Sequence, residues 1–281
     1  MRELTLSQKA EQSIHKKYRK TIWRPFIEGI KRYQLIQEND IIAVCISGGK
    51  DSMLLAKLMQ SLQRHSRFPF QLHFMVMNPG YNEINLQKVI ANAEMLEIPI
   101  TIFDSNIFQV VQQTDRTPCY LCARMRRGYL YAHAQKLGCN KIALGHHLSD
   151  VVETTLMGML FGAQYQVMMP KLKSQNFHGM ELIRPMYCIE EDAIHAWKRY
   201  NALSFIACAC PLSENCNIFD ASGGGSKRQE VKSLLHQLKR DNKDIEKNVF
   251  KSLHTVNLDT TIAYKQNDKA HSFLDNYDLN K

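Results

Sequence analysis

Short apolar runs recur along the chain at intervals that a helix fills. Ile41–Ile46, Leu72–Met77, Ile100–Phe103 and Lys141–Leu144 are the clearest, with a weaker one near Leu182–Arg184. Runs of this length without polar alternation fit strands buried on both faces of a sheet. Between them, apolar residues recur at helical spacing over Ser52–Arg64, Glu83–Leu96, Arg124–Leu137, Asp150–Phe161 and Glu190–Tyr200. This alternation predicts an α/β fold with a doubly wound parallel sheet. Ligands of such sheets bind beyond the carboxyl ends of the strands, so the residues that follow the first, second and fourth strands are the first candidates for a site.

Two segments flank this core. Residues 1–37 carry His15, Lys16, Lys17, Arg19, Lys20 and Arg24 among Tyr18, Trp23 and Phe26, and read as a basic helix or helix pair. Ser222 to Ser226, SGGGS, is a flexible break, followed by the helical pattern KRQEVKSLLHQLKR and a weaker one over Asp244–Leu253. From about Ala263 the chain is polar and aperiodic, and is expected to fray. The expected division is a basic helical extension over 1–37, a central domain over 38–221 and a C-terminal helical extension with a frayed tail over 222–281.

Composition narrows the class. With 281 residues, 44% hydrophobic and 22% charged, the chain is globular. It has no uncharged apolar run of about 18 residues to span a membrane, and its first residues, MRELTLSQKAEQ, lack the apolar core of a secretory signal. A cytoplasmic protein without a membrane partner is expected. Lys and Arg number 36 against 27 Asp and Glu, a net +9 that favours a polyanionic partner. The eight cysteines are unevenly spread. Cys45, Cys139 and Cys188 sit in apolar company and read as core, whereas Cys119 with Cys122, and Cys208 with Cys210 and Cys216, cluster as ligands do.

The first strand runs directly into Ser47-Gly48-Gly49-Lys50-Asp51-Ser52 and then into a helix. Strand, glycine turn and helix make an anion site: amides at a helix start carry partial positive charge, glycines admit phosphate close to the backbone, and Ser47, Lys50 and Ser52 add donors. The spacing is neither that of a Walker A loop nor that of a dinucleotide fingerprint. SGGKDS resembles the PP-loop of the adenine-nucleotide alpha hydrolase-like ATP pyrophosphatases. That resemblance implies cleavage of ATP between its α- and β-phosphates, with Ser47, Gly48, Gly49, Lys50, Asp51 and Ser52 around the pyrophosphate end. It also implies that Met77 and Asn78, at the end of the second strand, lie where adenine and ribose are held.

After the fourth strand comes Gly145-His146-His147-Leu148-Ser149-Asp150-Val151-Val152-Glu153-Thr154. Asp150 and Glu153 complement the dipole of a helix that begins here. The turn also lies in the same crevice as the phosphate loop, which puts Gly145 and His146 near a nucleotide and Asp150 near a Mg²⁺ or the reacting group. The segment resembles GHHxxDxxET of the tRNA-thiolating PP-loop enzymes, many of which carry Asp-Asp where this chain has Ser149-Asp150.

Cys119 and Cys122, in PCYLCARMRR, lie before a helix, and their three-residue spacing suits a zinc pair, a redox disulfide or half of an iron–sulfur site. The second group is Cys208-Ala209-Cys210 with Cys216 beyond, which is not a zinc-ribbon spacing. Taken in order, the PP-loop, PCxxC with its arginines, GHHxxDxxET, Arg184-Pro185 and a late cysteine group closely resemble the tRNA 2-thiocytidine synthetase family of cluster-dependent tRNA thiolases. The resemblance implies a [4Fe–4S] cluster on Cys119, Cys122 and either Cys208 or Cys210, with one iron open to carry sulfur. Arg124, Arg126 and Arg127 follow the CxxC, and Arg126, one turn past Cys122, is the best placed to meet a phosphate.

The expected function is therefore 2-thiolation of an anticodon-loop cytidine in tRNA, using ATP and Mg²⁺ for adenylation and a cluster for sulfur delivery. Asp51, Asp150 and Arg126 are expected to act in catalysis. Expected partners are tRNA, a cysteine desulfurase or other sulfur donor, and a second copy of the chain. Two other readings stand beside it: a PP-loop ligase or amidotransferase acting on a small molecule with zinc at the cysteines, and a non-catalytic iron–sulfur RNA-binding protein. Iron content compared between Cys208→Ala and Cys210→Ala, purified anaerobically, assigns the third ligand: one variant is expected to lose the cluster and the other to keep it.

Overall fold

The apolar runs form the centre of a six-stranded sheet. A computed structural model of the chain describes residues 3–112, 118–206 and 227–277. The strands are β1 (Ile41–Ile46), β2 (Gln71–Asn78), β3 (Ile100–Asp104), β4 (Lys141–Ala143), β5 (Lys171–Lys173) and β6 (Glu181–Ile183), in the spatial order β3-β2-β1-β4-β6-β5. All neighbours are parallel except β5, which runs antiparallel to β6 at the sheet edge. The expected doubly wound parallel sheet is thus present, with one antiparallel strand added at its edge. Lys171-Leu172-Lys173 is short and carries charge at both ends, a composition that suits an edge and gives no apolar signal.

Strand alternation builds two cores. Ile42, Val44 and Ile46 of β1 and Phe74 and Val76 of β2 point into one face, while Ala43, Cys45 and Met75 point into the other. The first face is covered by α1 (Leu6–His15), α2 (Arg24–Arg32), α3 (Lys50–His65), α4 (Glu83–Met95) and α8 (Glu191–Tyr200). The second is covered by α6 (Pro118–Lys136), through Tyr131 and Ala134. Two further helices, α5 (Ile107–Gln112) and α7 (Leu148–Gly162), start at the carboxyl end of the sheet.

The basic N-terminal segment is part of the first core. Thr5 and Gln8 form a capping box at the start of α1, and a π-helical turn over Arg19–Trp23 leads into α2. Ala10, Ile14, Ile22 and Phe26 are fully buried, the Tyr18 hydroxyl donates to the Ala196 carbonyl at 2.8 Å, and Lys16, Lys17, Arg19 and Lys20 are exposed. Tyr18 and Phe26 therefore pack inward, and these cations are left on the surface.

The chain divides into two compact units, residues 1–232 and 233–281, and α9 (Lys227–Asp241) runs through the division. In the second unit, α10 (Ile245–Ser252) is tied to the end of α9 by Lys239 and Glu246 at 3.0 Å. The stretch expected to fray forms a hairpin of β7 (Ala263–Gln266) and β8 (Lys269–Ser272). Asn267 and Asp268 both take positive φ, 49° and 63°, the geometry of a tight hairpin turn, and Tyr264 stacks on His271 across the strands at 4.8 Å. Its turn residues were legible, but its flanks lack the apolar alternation that marks a strand.

Trp197 of α8 is fully buried and its indole N–H donates to the Ala10 carbonyl at 3.3 Å, locking α1 to the sheet domain. Trp197→Ala is expected to cost about 3–5 kcal/mol, read as a lower midpoint in urea or thermal melts.

Candidate active site

The turn between β1 and α3 is held open by its own backbone. Gly49 is the N-cap of α3 without a side-chain cap, so the first amides of the helix have no intrahelical acceptors. Gly48 has φ +82°, and a Cβ there would lie 2.5 Å from Val89 Cγ2 and 2.7 Å from Ile206 Cδ1. The Ser52 hydroxyl accepts from the Ser47 amide at 3.2 Å and donates to the Gly49 carbonyl at 3.0 Å. These bonds close the loop into a cradle before any ligand arrives.

β4 lies beside β1, so the GHH turn meets this cradle at the point where the strand order reverses. Gly145 is required by contact: a Cβ there would lie 3.2 Å from the Asp51 carbonyl carbon and the Ser52 nitrogen. His147 is the N-cap of α7, its Nδ1 accepting from the Asp150 amide at 3.3 Å, while the His147 amide donates to Asp150 Oδ2 at 3.0 Å. His147 Nε2 is 3.8 Å from Asp51 Oδ1 and 3.4 Å from Asp150 Oδ2. The Asp150 carboxylate is thus shared between helix capping and the crevice. Ser149 accepts from the Glu191 amide at 3.2 Å and ties α7 to α8.

A cavity of about 240 Å³ lies between these turns, lined by Asp51, His147, Asp150, Glu153, Glu191, Arg228 and Lys232 among others. Lys50 Nζ reaches Asp51 Oδ2 at 3.1 Å and Glu191 Oε1 at 3.0 Å. Lys232 reaches Glu191 Oε2 at 2.7 Å, and Arg228 pairs with Glu153 at 2.8 Å and with Asp150. Burial raises the Glu191 carboxyl, but hydrogen bonds from Lys232 and Lys50 outweigh it and hold the group well below the usual carboxylate range. Burial works against the Lys50 charge, and Asp51 and Glu191 more than restore it. Burial raises Glu153, which Arg228 only partly offsets. Asp51 Oδ1 is buried and has no hydrogen-bond partner among the described residues. An orphaned carboxylate oxygen facing a polar cavity is fitted to a hard cation.

A PP-loop domain model matches residues 10–211. The tRNA-cytidine(32) 2-sulfurtransferase of Photobacterium profundum is 34% identical over 260 residues, covering 88% of this chain and 81% of the relative. The chain belongs to the tRNA-cytidine(32) 2-sulfurtransferase family of PP-loop proteins. The Geobacter metallireducens sulfurtransferase is 31% identical, covering 86% of this chain and 91% of its own. In fold, the chain is similar to the U34-tRNA thiolase NcsA from Methanococcus maripaludis, solved with its [4Fe-4S] cluster: TM-score 0.62, 21% identity, 84% of this chain and 79% of that one.

The other expected site residues of this family member are distributed as follows. The Met77 side chain is buried in a small cluster with Ile107 and Phe108, against which Leu121, Cys122 and Met125 pack. Asn78 organises the turn after β2: its Oδ1 accepts from the Gly80 and Tyr81 amides at 3.1 and 2.8 Å, and its Nδ2 donates to Asp104 at 2.8 Å. Cys119 and Cys122 lie within the first two turns of α6 rather than before a helix, because Pro118 starts it. Cys122 is a half-buried free thiol at the carboxyl end of β2. Cys208, Cys210 and Cys216 lie outside the described residues. Arg126 packs its guanidinium over the Phe108 ring at 5.6 Å, and its buried Nε has no hydrogen-bond partner among the described residues, whereas Arg124 and Arg127 are exposed. Cys45 and Cys139 are buried, and Cys188 is half-buried with its thiol pushed up to about 11 by burial.

Glu191, Arg228 and Lys232 were not singled out from sequence. Glu191 reads there as an ordinary acidic helix start, and Arg228 and Lys232 as solvated charges after a flexible break. The only available signal was their spacing of four, which puts both on one helix face.

His146 carries the clearest pH consequence. Burial, and then the Arg184 guanidinium, push its ring down to about 4, with Arg228 and His147 acting in the same direction and Asp150 opposing. The native ring is neutral where the unfolded ring, with its ordinary value of 6.5, takes up a proton. Stability relative to His146→Gln is therefore expected to fall as pH drops from 6.5 towards 4. The slope is at most about 1.4 kcal/mol per pH unit, read by urea melts across pH without nucleotide.

Proposed function

We infer that the chain is an ATP-dependent tRNA sulfurtransferase that replaces the C2 oxygen of a tRNA cytidine with sulfur. The carrying observation is the meeting of the PP-loop and the GHH turn at one cavity that holds an orphaned Asp51 carboxylate oxygen. Family membership supports the substrate class.

The Lys50–Ser52 amides and the Lys50 ammonium receive the phosphates of ATP, with Asp51 and Asp150 as ligands for Mg²⁺. The cytidine C2 oxygen attacks the α-phosphorus, pyrophosphate leaves with the electron pair of the broken P–O bond, and the oxygen becomes part of an AMP leaving group. A sulfide equivalent then adds at C2, and AMP departs with the original oxygen, so no net oxidation occurs. Cys119, Cys122 and one of Cys208 and Cys210 would hold a [4Fe–4S] cluster, which would supply the sulfur. Arg126 approaches a phosphate of the adenylated base or of the RNA, while the neutral His146 lines the nucleotide side without adding charge.

The exposed Lys16, Lys17, Arg19 and Lys20 meet the RNA backbone, a contact that weakens as salt rises. The target base must be unstacked to reach the cavity, which is cheapest in a loop such as the anticodon loop. No helix among the described residues is long and apolar enough to cross a membrane. The reaction belongs in the cytoplasm, with a cysteine desulfurase or similar protein delivering sulfur and a second copy of the chain completing the assembly.

Asp51→Ala is expected to lower pyrophosphate release and tRNA thiolation by at least about 100-fold while iron content stays unchanged. Nucleoside mass profiles of tRNA from cells lacking the protein should lose 2-thiocytidine. If every thiolated pyrimidine remains, the reading is wrong.

A further inference from the structure

The segment that closes the cavity lies beyond the matched domain. The PP-loop model ends at residue 211, whereas α9 begins at Lys227. Its first two turns bring Arg228 and Lys232 to the mouth of the cavity. Arg228 Nε donates to Glu153 Oε2 at 2.8 Å, and its Nη2 donates to Asp150 Oδ1. Lys232 Nζ donates to Glu191 Oε2 at 2.7 Å, the carboxylate whose other oxygen receives Lys50 at 3.0 Å.

Charge accounting shows what these two cations do. Asp51, Asp150, Glu153 and Glu191 place four carboxylates around a space that a nucleotide polyanion must enter, and without α9 the nearest cation in the PP-loop is Lys50. Such a pocket repels phosphate. With Arg228 and Lys232, three cations face the four carboxylates, which leaves one negative charge in place of three. Exposure agrees with a ligand role: the Glu153 and Glu191 side chains are 5% and 15% exposed, whereas those of Arg228 and Lys232 are 48% and 39% exposed. Glu153 and Glu191 are thus largely shielded, while the side chains of Arg228 and Lys232 are open to solvent. A guanidinium has five donors in a fork that matches phosphate, and an ammonium has three.

We propose that Arg228 and Lys232 bind the pyrophosphate end of ATP, so that the start of α9 is a clamp on the PP-loop pocket. Ion pairs with Asp150, Glu153 and Glu191 hold the two heads in position without nucleotide and exchange for phosphate oxygens when it binds. The proposal rests on the reading of the PP-loop as an ATP site.

Isothermal titration of the full-length protein with Mg-ATP, pyrophosphate and AMP tests it. Arg228→Ala and Lys232→Ala are each expected to weaken Mg-ATP and pyrophosphate binding by about tenfold or more and to leave AMP affinity unchanged. Arg228→Lys is expected to recover part of the loss, and circular dichroism melts confirm that each variant is folded. Unchanged Mg-ATP affinity in both Ala variants, or equal loss for ATP and AMP, would mean that the cations only neutralise buried carboxylates. Tighter Mg-ATP binding in Arg228→Ala would make α9 a plug that nucleotide displaces, and overturns the clamp. A wild-type chain that binds neither ATP nor pyrophosphate would instead remove the PP-loop reading itself, an outcome visible before any variant is compared.

Discussion

The site depends on one close approach of two backbones. β1 and β4 pair in parallel, so the turns that follow them are forced together, and Gly145 lies so close to the backbone of Asp51 and Ser52 that a Cβ would crowd it at 3.2 Å. That contact sets the start of α7 beside the start of α3. Two helix N-termini then point at one cavity, and their partial charges favour an anion there before any side chain is counted. Gly48 does the same from the other side, packed against Val89 and Ile206 in a conformation that residues with a Cβ rarely adopt.

Around this backbone frame the cavity is held by charges that satisfy each other. Glu191 bridges Lys50 and Lys232, Asp150 is shared between the capping box of α7 and Arg228, and Glu153 is buried against the same guanidinium. Removing Arg228 takes the ion-pair partner from the buried Glu153 carboxylate, and interlocked charges of this kind rigidify a site. Asp51 Oδ1 is buried without a hydrogen-bond partner among the described residues, 3.8 Å from His147 Nε2.

The second consequence of the fold concerns RNA. The N-terminal segment looks in sequence like a basic arm with interleaved aromatics, yet its aromatics are spent on the core: Phe26 is fully buried and Tyr18 is fastened to Ala196. A structural helix and a cationic surface are therefore the same element seen from two sides. Hydrophobic burial fixes its orientation, and the lysines and arginines it leaves outside gain their position from that burial.

What is local was legible. The β1 boundaries, the phosphate loop and the helix after it follow from an apolar run, two glycines and helical periodicity within a dozen residues, and the family resemblance rested on the same motifs. Misreadings fell where local signal is weak. Lys171–Lys173 pairs only because β6 offers an edge, and the Ala263–Ser272 hairpin is held by a turn and a ring stack rather than by an apolar face. The charged ring of the cavity was decided by tertiary structure alone. Lys50 and Glu191 are 141 residues apart, Arg228 and Asp150 are 78 apart, and Lys232 and Glu191 are 41 apart. Lys50 and Asp150 sit in recognisable motifs, but in sequence Glu191, Arg228 and Lys232 are ordinary helix charges, because nothing within one turn of them differs from a solvated face. Only the packing of distant elements removes water from one side and makes these charges answer to one another.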